Sequence, residues 1–388
     1  MPITDFLERN AKIYPNDIAL VEINPERQPD KNLTWREYSL IETAGESDKY
    51  RREISWRDFD VKANRFANLL ISRGIGKGDK VAILLMNCLE WLPIYFGILK
   101  AGAVAVPLNY RYTAEEIKYC LEKADCAMLV FGPEFVGRVE EIVDDIPDVE
   151  HLFYVGEDCP SFADSAEELI KFCSKEKPNV EITIDDNAAI YYSSGTTGFP
   201  KAILHTHRSL EHAAICEQKH HGQTHDDVFL CIPPLYHTGA KMHWFGSLVV
   251  GGKAVLLKGI RPEWILRAVS TERCTIVWLL VPWAQDILDA IVRSGAALSH
   301  HHGIGKMFAP WLEGNIGETE YGIFKLLKEY FDPDYTMNPG GTIGLDLSED
   351  EKRFTRDGYD GYRDGYNTPA WDAVIAYDEK DEFLETLK

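Results

Sequence analysis

The stretch "YYSSGTTGFPKA", Tyr191 to Ala202, follows the apolar run "AAIYY" and gathers Ser193, Ser194, Gly195, Thr196, Thr197 and Gly198 ahead of Lys201. Clustered hydroxyls donate hydrogen bonds, glycines let backbone N–H groups approach an anion closely, and the lysine adds a positive charge. That is phosphate-binding chemistry. The Gly-x-x-x-x-Gly-Lys-Ser/Thr spacing of a Walker loop is missing, so the phosphate would be held in another way. Any five of these residues alone would read as a Ser/Thr/Gly turn; the whole string placed after a strand reads as a ligand loop. Further along, "IPPLYHTGA" sets Tyr236 and His237 after Pro233 and Pro234. A lone loop histidine is usually structural, so its role is left to its setting.

Histidine is the other chemically conspicuous residue type. Eight of the twelve lie between His205 and His243, and His300, His301 and His302 stand side by side in "GAALSHHHGIGK". In the first group only His205-x-His207 and the loop "KHHGQTH" have close spacing, and no cysteine or carboxylate completes a zinc-like pattern. No metal site is expected there. The triplet, taken alone, suggests a metal or catalytic centre.

Alternating elements must position these residues. Short β-rich runs begin at Val81, Ala103, Ala127, His151, Ala188, Val228, Lys253 and Cys274. Between several of them lie helices with legible starts. Ser55-x-x-Asp58 precedes an apolar-periodic run ending at Gly74, and Thr113-x-x-Glu116 forms a capping box ahead of "IKYCLEKA". Such alternation implies α/β architecture with largely parallel sheets. "LTWREY" at 33–38 and "ISWRDF" at 54–59 read as two similar strand-to-helix starts with an insertion between them.

Bulk properties narrow the function classes. A net charge of −21 and a pI near 5.0 argue against a nucleic-acid or anionic-membrane surface. The start "MPITDFLERN" lacks a secretory signal pattern, and the longest apolar uncharged run, Cys274 to Gln285, is shorter than the roughly 20 residues that span a bilayer. Cytoplasmic localisation is expected. The eight cysteines, all between Cys88 and Cys274 and without a C-x-x-C pair, read as free thiols.

"YYSSGTTGFPKA" resembles the signature of the adenylate-forming enzymes, the AMP-forming acyl-CoA synthetases and their relatives. "GIGKGDKVAILLMNCLEWLPIYFGILKAGAVAVPLNYRYTAEEIKYCLEKAD" resembles the family's early region, and "IPPLYHTGA" its substrate-side segment. The resemblance runs from about residue 3 to about 295. It implies a truncated large N-terminal domain of stacked α/β subdomains over 1–296. It also implies a two-step reaction, in which a carboxylic acid attacks the α-phosphate of ATP and the acyl-adenylate then passes its acyl group to coenzyme A. ATP, Mg2+ and coenzyme A are the ligands implied; catalysis would be mostly positioning and electrostatics. By the same resemblance Ser193 to Gly198 and Lys201 hold the ATP phosphates, and His237 and Lys201 act at the reaction centre. Tyr236 sits beside His237 at the carboxylate, while Met242, His243 and Phe245 either line the acyl pocket or belong to the core.

The pattern breaks after "DILDAIVRSG". The adenine-binding glycine-rich stretch, the Tyr-Gly-x-Thr-Glu motif for magnesium, the ribose-binding aspartate and the C-terminal lysine domain are not recognisable. "GETEYG" at 317–322 has the right letters in the wrong order within helical surroundings. Instead, Leu298 to Asp346 resembles the C-terminal end of FAD-linked oxidases of the vanillyl-alcohol oxidase and alkylglycerone-phosphate synthase type, an α+β piece assigned to 297–347. No FAD pyrophosphate-binding region accompanies it, so FAD is not expected to bind, and His300 to His302 mark the head of this fragment. Residues 348–388 read as an acidic, weakly ordered tail. Two readings therefore stand: an AMP-forming acyl-CoA ligase, or an inactive fusion with residual nucleotide-phosphate binding. A FAD-linked oxidoreductase is a third. Cutting a sheet-bearing domain near 295 should leave strand edges uncovered, so oligomerisation or aggregation is expected.

Overall fold

The computed structural model describes residues 1–25, 50–193, 199–279, 283–284, 286–287, 290 and 317–331. The chain divides into two units after Trp278. In the first, α1 (Ile3–Ile13) and β1 (Ile18–Ile23) lead to β2 (Arg51–Ser55), α2 (Trp56–Ser72), β3 (Lys80–Leu84), α3 (Trp91–Lys100) and β4 (Val104–Pro107). Next come α4 (Ala114–Lys123), β5 (Cys126–Phe131), α5 (Val136–Ile142), β6 (His151–Tyr154), β7 (Asp164–Ser165) and α6 (Ala166–Ile170). The unit continues through β8 (Asn187–Ser193), β9 (Lys201–Thr206), α7 (His207–His221), β10 (Val228–Cys231), α8 (Thr238–Val250), β11 (Lys253–Leu257), α9 (Pro262–Glu272) and β12 (Ile276–Val277). In the second unit the described element is α10 (Glu318–Phe331), which takes up most of "GETEYG" in its first turns. The expectations for His300 to His302 and for 348–388 lie outside the described residues.

Two sheets result. One has strand order β12-β10-β11-β1-β2 and the other β7-β6-β5-β3-β4-β8-β9. All pairings are parallel except β1 with β2 and β8 with β9. The second exception matters for the site, because "YYSSGTTGFPKA" is the connection of an antiparallel pair with Ser193 opposite Lys201. β3 shows why the central strands read as unbroken apolar runs. Val81 and Ile83 enter one core, Ala82 and Leu84 enter another on the opposite face, and all four are buried. The first core also takes residues from α1, α2, α3, α7, α8 and the five-stranded sheet, so these helices fill the space between the sheets.

Local chemistry sets the helix ends. The Ser55 hydroxyl accepts from the Asp58 N–H to start α2, and Thr113 and Glu116 form the reciprocal capping box of α4. α3 lies so close on α2 that a Cβ on Gly97 would stand 2.8 Å from the Phe66 Cβ and 2.9 Å from the Ala63 carbonyl oxygen. Only glycine fits without separating the helices. At the other extreme, β9 is a sheet edge with Ile203 and Leu204 exposed. The eight cysteines are free thiols. No helix among the described residues is long and apolar enough to cross a membrane.

Candidate functional site

Segments leaving the carboxyl ends of three strands line one cavity of about 410 Å³. β4 ends in Pro107, followed by Asn109 and Tyr112, with Glu116 on α4; β8 ends in Tyr191, Tyr192 and Ser193; after β10 come Tyr236, His237 and Thr238. Pro200, Ile203 and His205 complete the wall from the β9 side. The space outside the carboxyl ends of strands is where open α/β sheets hold ligands, because the connecting loops there vary without disturbing the ladder.

His237 is the N-cap of α8, and its Nδ1 accepts the Gly239 N–H at 3.1 Å. With Nδ1 acting as an acceptor, the neutral ring carries its proton on Nε2, a donor held in place by the helix end. Partial burial and, second, the Lys241 charge lower its pKa, favouring that neutral form. Tyr236 packs edge-on against Tyr110 at 5.4 Å, and burial pushes its hydroxyl up to about 12, so it serves as a neutral phenol. His205 faces the Tyr191 ring at 5.2 Å, and burial, followed by Lys241, lowers its pKa too. Among the described residues the one carboxylate on the wall, Glu116, accepts from the Thr113 N–H at 2.8 Å and caps α4.

Behind the Tyr191 wall lies a fully buried lysine that sequence reasoning missed. Lys241 Nζ stands 4.1 Å from the Tyr191 ring centre, 4.5 Å from Tyr95 and 5.0 Å from Trp91, with the Leu235 carbonyl oxygen at 3.5 Å. The Tyr95 and Tyr191 hydroxyls bond each other at 2.9 Å. Burial drives the lysine pKa well below its ordinary value. Its signal was present but faint: a lysine one helical turn after His237, in the otherwise apolar "GAKMHWFGSLVV".

The expected site residues separate into groups. Ser193, Tyr236 and His237 share the cavity, and Lys201 opens β9 opposite Ser193 with its side chain exposed. Ser194, Gly195, Thr196, Thr197 and Gly198 lie outside the described residues. Met242, His243 and Phe245 do not line this cavity. Helical periodicity turns Phe245 into the core beside Trp244, Met242 packs partly buried on the same core, and His243 bonds Glu217 on α7. Tyr112, Tyr191, Tyr192, Asn109 and His205 were missed because their meeting depends on strand order rather than local spacing.

A family model described as "AMP-binding enzyme" matches residues 7–304. The chain belongs to the AMP-binding enzyme family. The model of the C-terminal domain of FAD linked oxidases matches residues 277–342, overlapping the end of the AMP-binding match. Among curated AMP-binding relatives, the 3-hydroxybenzoate--CoA/4-hydroxybenzoate--CoA ligase of Thauera aromatica is 30% identical over 64% of this chain and 48% of its own length. The long-chain-fatty-acid--CoA ligase FadD13 of Mycobacterium tuberculosis is 33% identical over 48% of this chain and 36% of its own. The chain thus spans about half the length of these relatives or less. A solved N-terminal domain of FACL13 from Mycobacterium tuberculosis superposes with a TM-score of 0.63 at 26% identity, covering 74% of this chain and 64% of that one. The anthranilate CoA ligase AuaEII in complex with anthranoyl-AMP shares the fold, with a TM-score of 0.66 at 24% identity over 82% of this chain and 58% of that one. The mixed α/β architecture is that of the N-terminal domains of such AMP-binding ligases.

Proposed function

We propose that this chain activates a carboxylic acid with ATP, holding the ATP phosphates at Ser193 to Gly198 and Lys201 and the carboxylate near Tyr236 and His237. The observation that carries the reading is that Ser193, at the end of β8 in one sheet, and His237, in the segment after β10 of the other, line one cavity. Attack of a carboxylate oxygen on the α-phosphorus forms one P–O bond while the bond to pyrophosphate breaks. Charge gathers on phosphoryl oxygens, where fixed donors help most. A neutral His237 with its Nε2–H aimed from a helix cap donates without giving up its proton, and the Ser193 hydroxyl and Lys201 ammonium face the phosphate side. Transfer of the acyl group to the thiol of coenzyme A follows by analogy with the relatives and is assigned no residue. Magnesium is also assigned none, because Glu116 is committed to its capping box.

ATP–pyrophosphate exchange over a panel of short, fatty and aromatic acids tests the proposal. Acid-dependent exchange is expected; a silent panel overturns it. A second reading, nucleotide-phosphate binding without turnover, is favoured by the overlap of the two family matches at 277–304. Its mark is saturable ATP binding, lost in Ser193→Ala with Lys201→Ala, in a protein that catalyses no exchange. Flavin absorbance in the purified protein would instead revive an oxidase role for the C-terminal piece.

A further inference from the structure

α7 and α8 pack against each other, and where they meet three ligand-bearing side chains converge. Glu217 and His221 stand one turn apart on α7, and His243 comes from α8. Glu217 Oε1 lies 2.6 Å from His221 Nδ1, and the same oxygen bonds His243 Nδ1. One ligand atom of each residue lies within 4.8 Å of those of the other two. The His221 and His243 ring centres are 6.0 Å apart, and Trp278 covers the far side of His243 at 5.1 Å. The side chains of Glu217, His243 and His221 are 14%, 23% and 36% exposed, sheltered yet reachable from solvent.

We propose that Glu217, His221 and His243 form a binding site for a divalent transition metal ion of the zinc class, with a fourth position open to water or an anion. Two imidazole nitrogens and one carboxylate oxygen are a ligand set that zinc and its neighbours accept, whereas calcium and magnesium require a shell of oxygens. In a tetrahedral zinc site the ligand atoms stand about 3.3 Å apart, given metal–ligand bonds of about 2.0–2.1 Å. The carboxylate therefore has to draw back from the rings by less than roughly 1 Å, within the reach of one side-chain rotation. Spacing of i,i+4 presets Glu217 and His221 on one helix face, and the core packing of α8 fixes His243 opposite them. Binding displaces the protons that the Nδ1 atoms share with Glu217, and the ion then holds α7 to the helix that His237 caps. The carboxylate thought absent from the histidine-rich region is Glu217; it was overlooked because its second histidine is supplied from another helix. This inference is independent of the proposed ligase activity, since none of the three residues lines the cavity.

The test uses the full chain, stripped of metal, titrated with zinc chloride by calorimetry and with cobalt(II) by visible absorption in a non-chelating buffer at neutral pH. One ion per chain is expected, with cobalt giving the absorption of a tetrahedral nitrogen and oxygen site. His221→Ala, His243→Ala and Glu217→Gln should each weaken zinc at least as much as the roughly 10-fold lost when a mere outer partner of a ligand is removed. Two rival sites serve as controls. Cys216 Sγ lies 3.4 Å from His212 Nε2 one turn earlier on α7, and the His300 to His302 triplet is elsewhere in sequence. His212→Ala with Cys216→Ser, and the triple alanine variant of the triplet, should bind zinc like the wild type. His243→Asn repeats the test if the alanine variant does not melt cooperatively. The proposal fails if the wild type binds no zinc, if the His221 and His243 variants bind it unchanged, or if binding disappears with either control set.

Discussion

Among the described residues two lysines are almost wholly buried, and their surroundings differ in kind. Lys100, at the end of α3, bonds Asp60 Oδ1 at 2.6 Å and Asn64 Oδ1 at 2.7 Å, with Glu8 at 3.3 Å, so one cation ties together α1, α2 and α3. Lys241 has the faces of three aromatic rings and one carbonyl oxygen, and none of these four groups is a carboxylate. A buried charge with matched counter-charges acts as a fastening, because removing it strands its partners. A buried amine among π-faces strands no counter-charge when removed, only the Leu235 carbonyl at 3.5 Å. Its value must lie in what stands next to it, and next to it stands the cavity wall.

The contrast can be broken first at Lys100. Replacing it with Met removes the cation and leaves Asp60 and Glu8 behind; such losses cost about 3–5 kcal/mol, with the lower end expected here because both carboxylates are partly exposed. Urea unfolding measures this, and a loss under about 1 kcal/mol would put Lys100 in the same class as Lys241.

A third buried base, His207, gives the next largest effect, and it depends on pH. Burial is the main cause lowering its pKa from 6.5 to about 4, with Lys77 adding to it and Asp186 opposing. Between those values the unfolded chain binds the proton and the folded chain does not. Stability therefore falls as pH drops from 6.5 to 4, by up to about 3 kcal/mol, and is level below that. His207→Leu should flatten this part of the stability profile; a slope unchanged from the wild type would show that His207 charges freely in the fold.

Beside Lys241, His237→Ala should lower acid-dependent pyrophosphate exchange by roughly 100-fold, the effect of removing one fixed donor from a phosphoryl or acyl transition state. His237→Asn keeps a side-chain acceptor for the Gly239 N–H, so it separates lost capping of α8 from lost chemistry. Equal melts with unequal rates assign the histidine to the reaction; equal rates assign it to the helix.

The smallest expected change is the most telling. Lys241→Met, a swap of similar volume, should alter stability at neutral pH by no more than about 1 kcal/mol or increase it. Because the folded pKa is depressed, any penalty for charging Lys241 is present at low pH and is relieved as pH rises from the folded value through 10.5. The gap between variant and wild type should therefore narrow towards alkaline pH. A loss of several kcal/mol would mean that the aromatic faces anchor a true cation.

Much of this fold was legible in the sequence, for stated reasons. Runs such as "KAVLL" and "VAILL" are buried on both faces of a parallel sheet and so announce themselves without alternation, and the caps at Ser55 and Thr113 are local chemistry. β9 escaped notice because "KAILHT" is an exposed edge whose partner fixes it, and β1 because its pairing with β11 spans most of the unit. In the site, the motif residues Ser193, Tyr236 and His237 could be named from spacing alone. The aromatic box around Lys241 could not, since Trp91 and Tyr95 come from α3 and Tyr191 from β8, and each reads separately as ordinary core. Glu217 and His221 show an intermediate case: their helical spacing was visible, their third partner was not.

The antiparallel ladder of β8 and β9 has a consequence for any ligand of the phosphate loop. Ser193 and Lys201 are cross-strand partners, so residues 194–200 begin and end at neighbouring points of one sheet. The entropy of loop closure is charged to folding, when the strands pair, and not to the binding event. A ligand that engages the loop meets two ends already held by the ladder, and it can bind without shifting the register that sets Ser193 opposite Lys201.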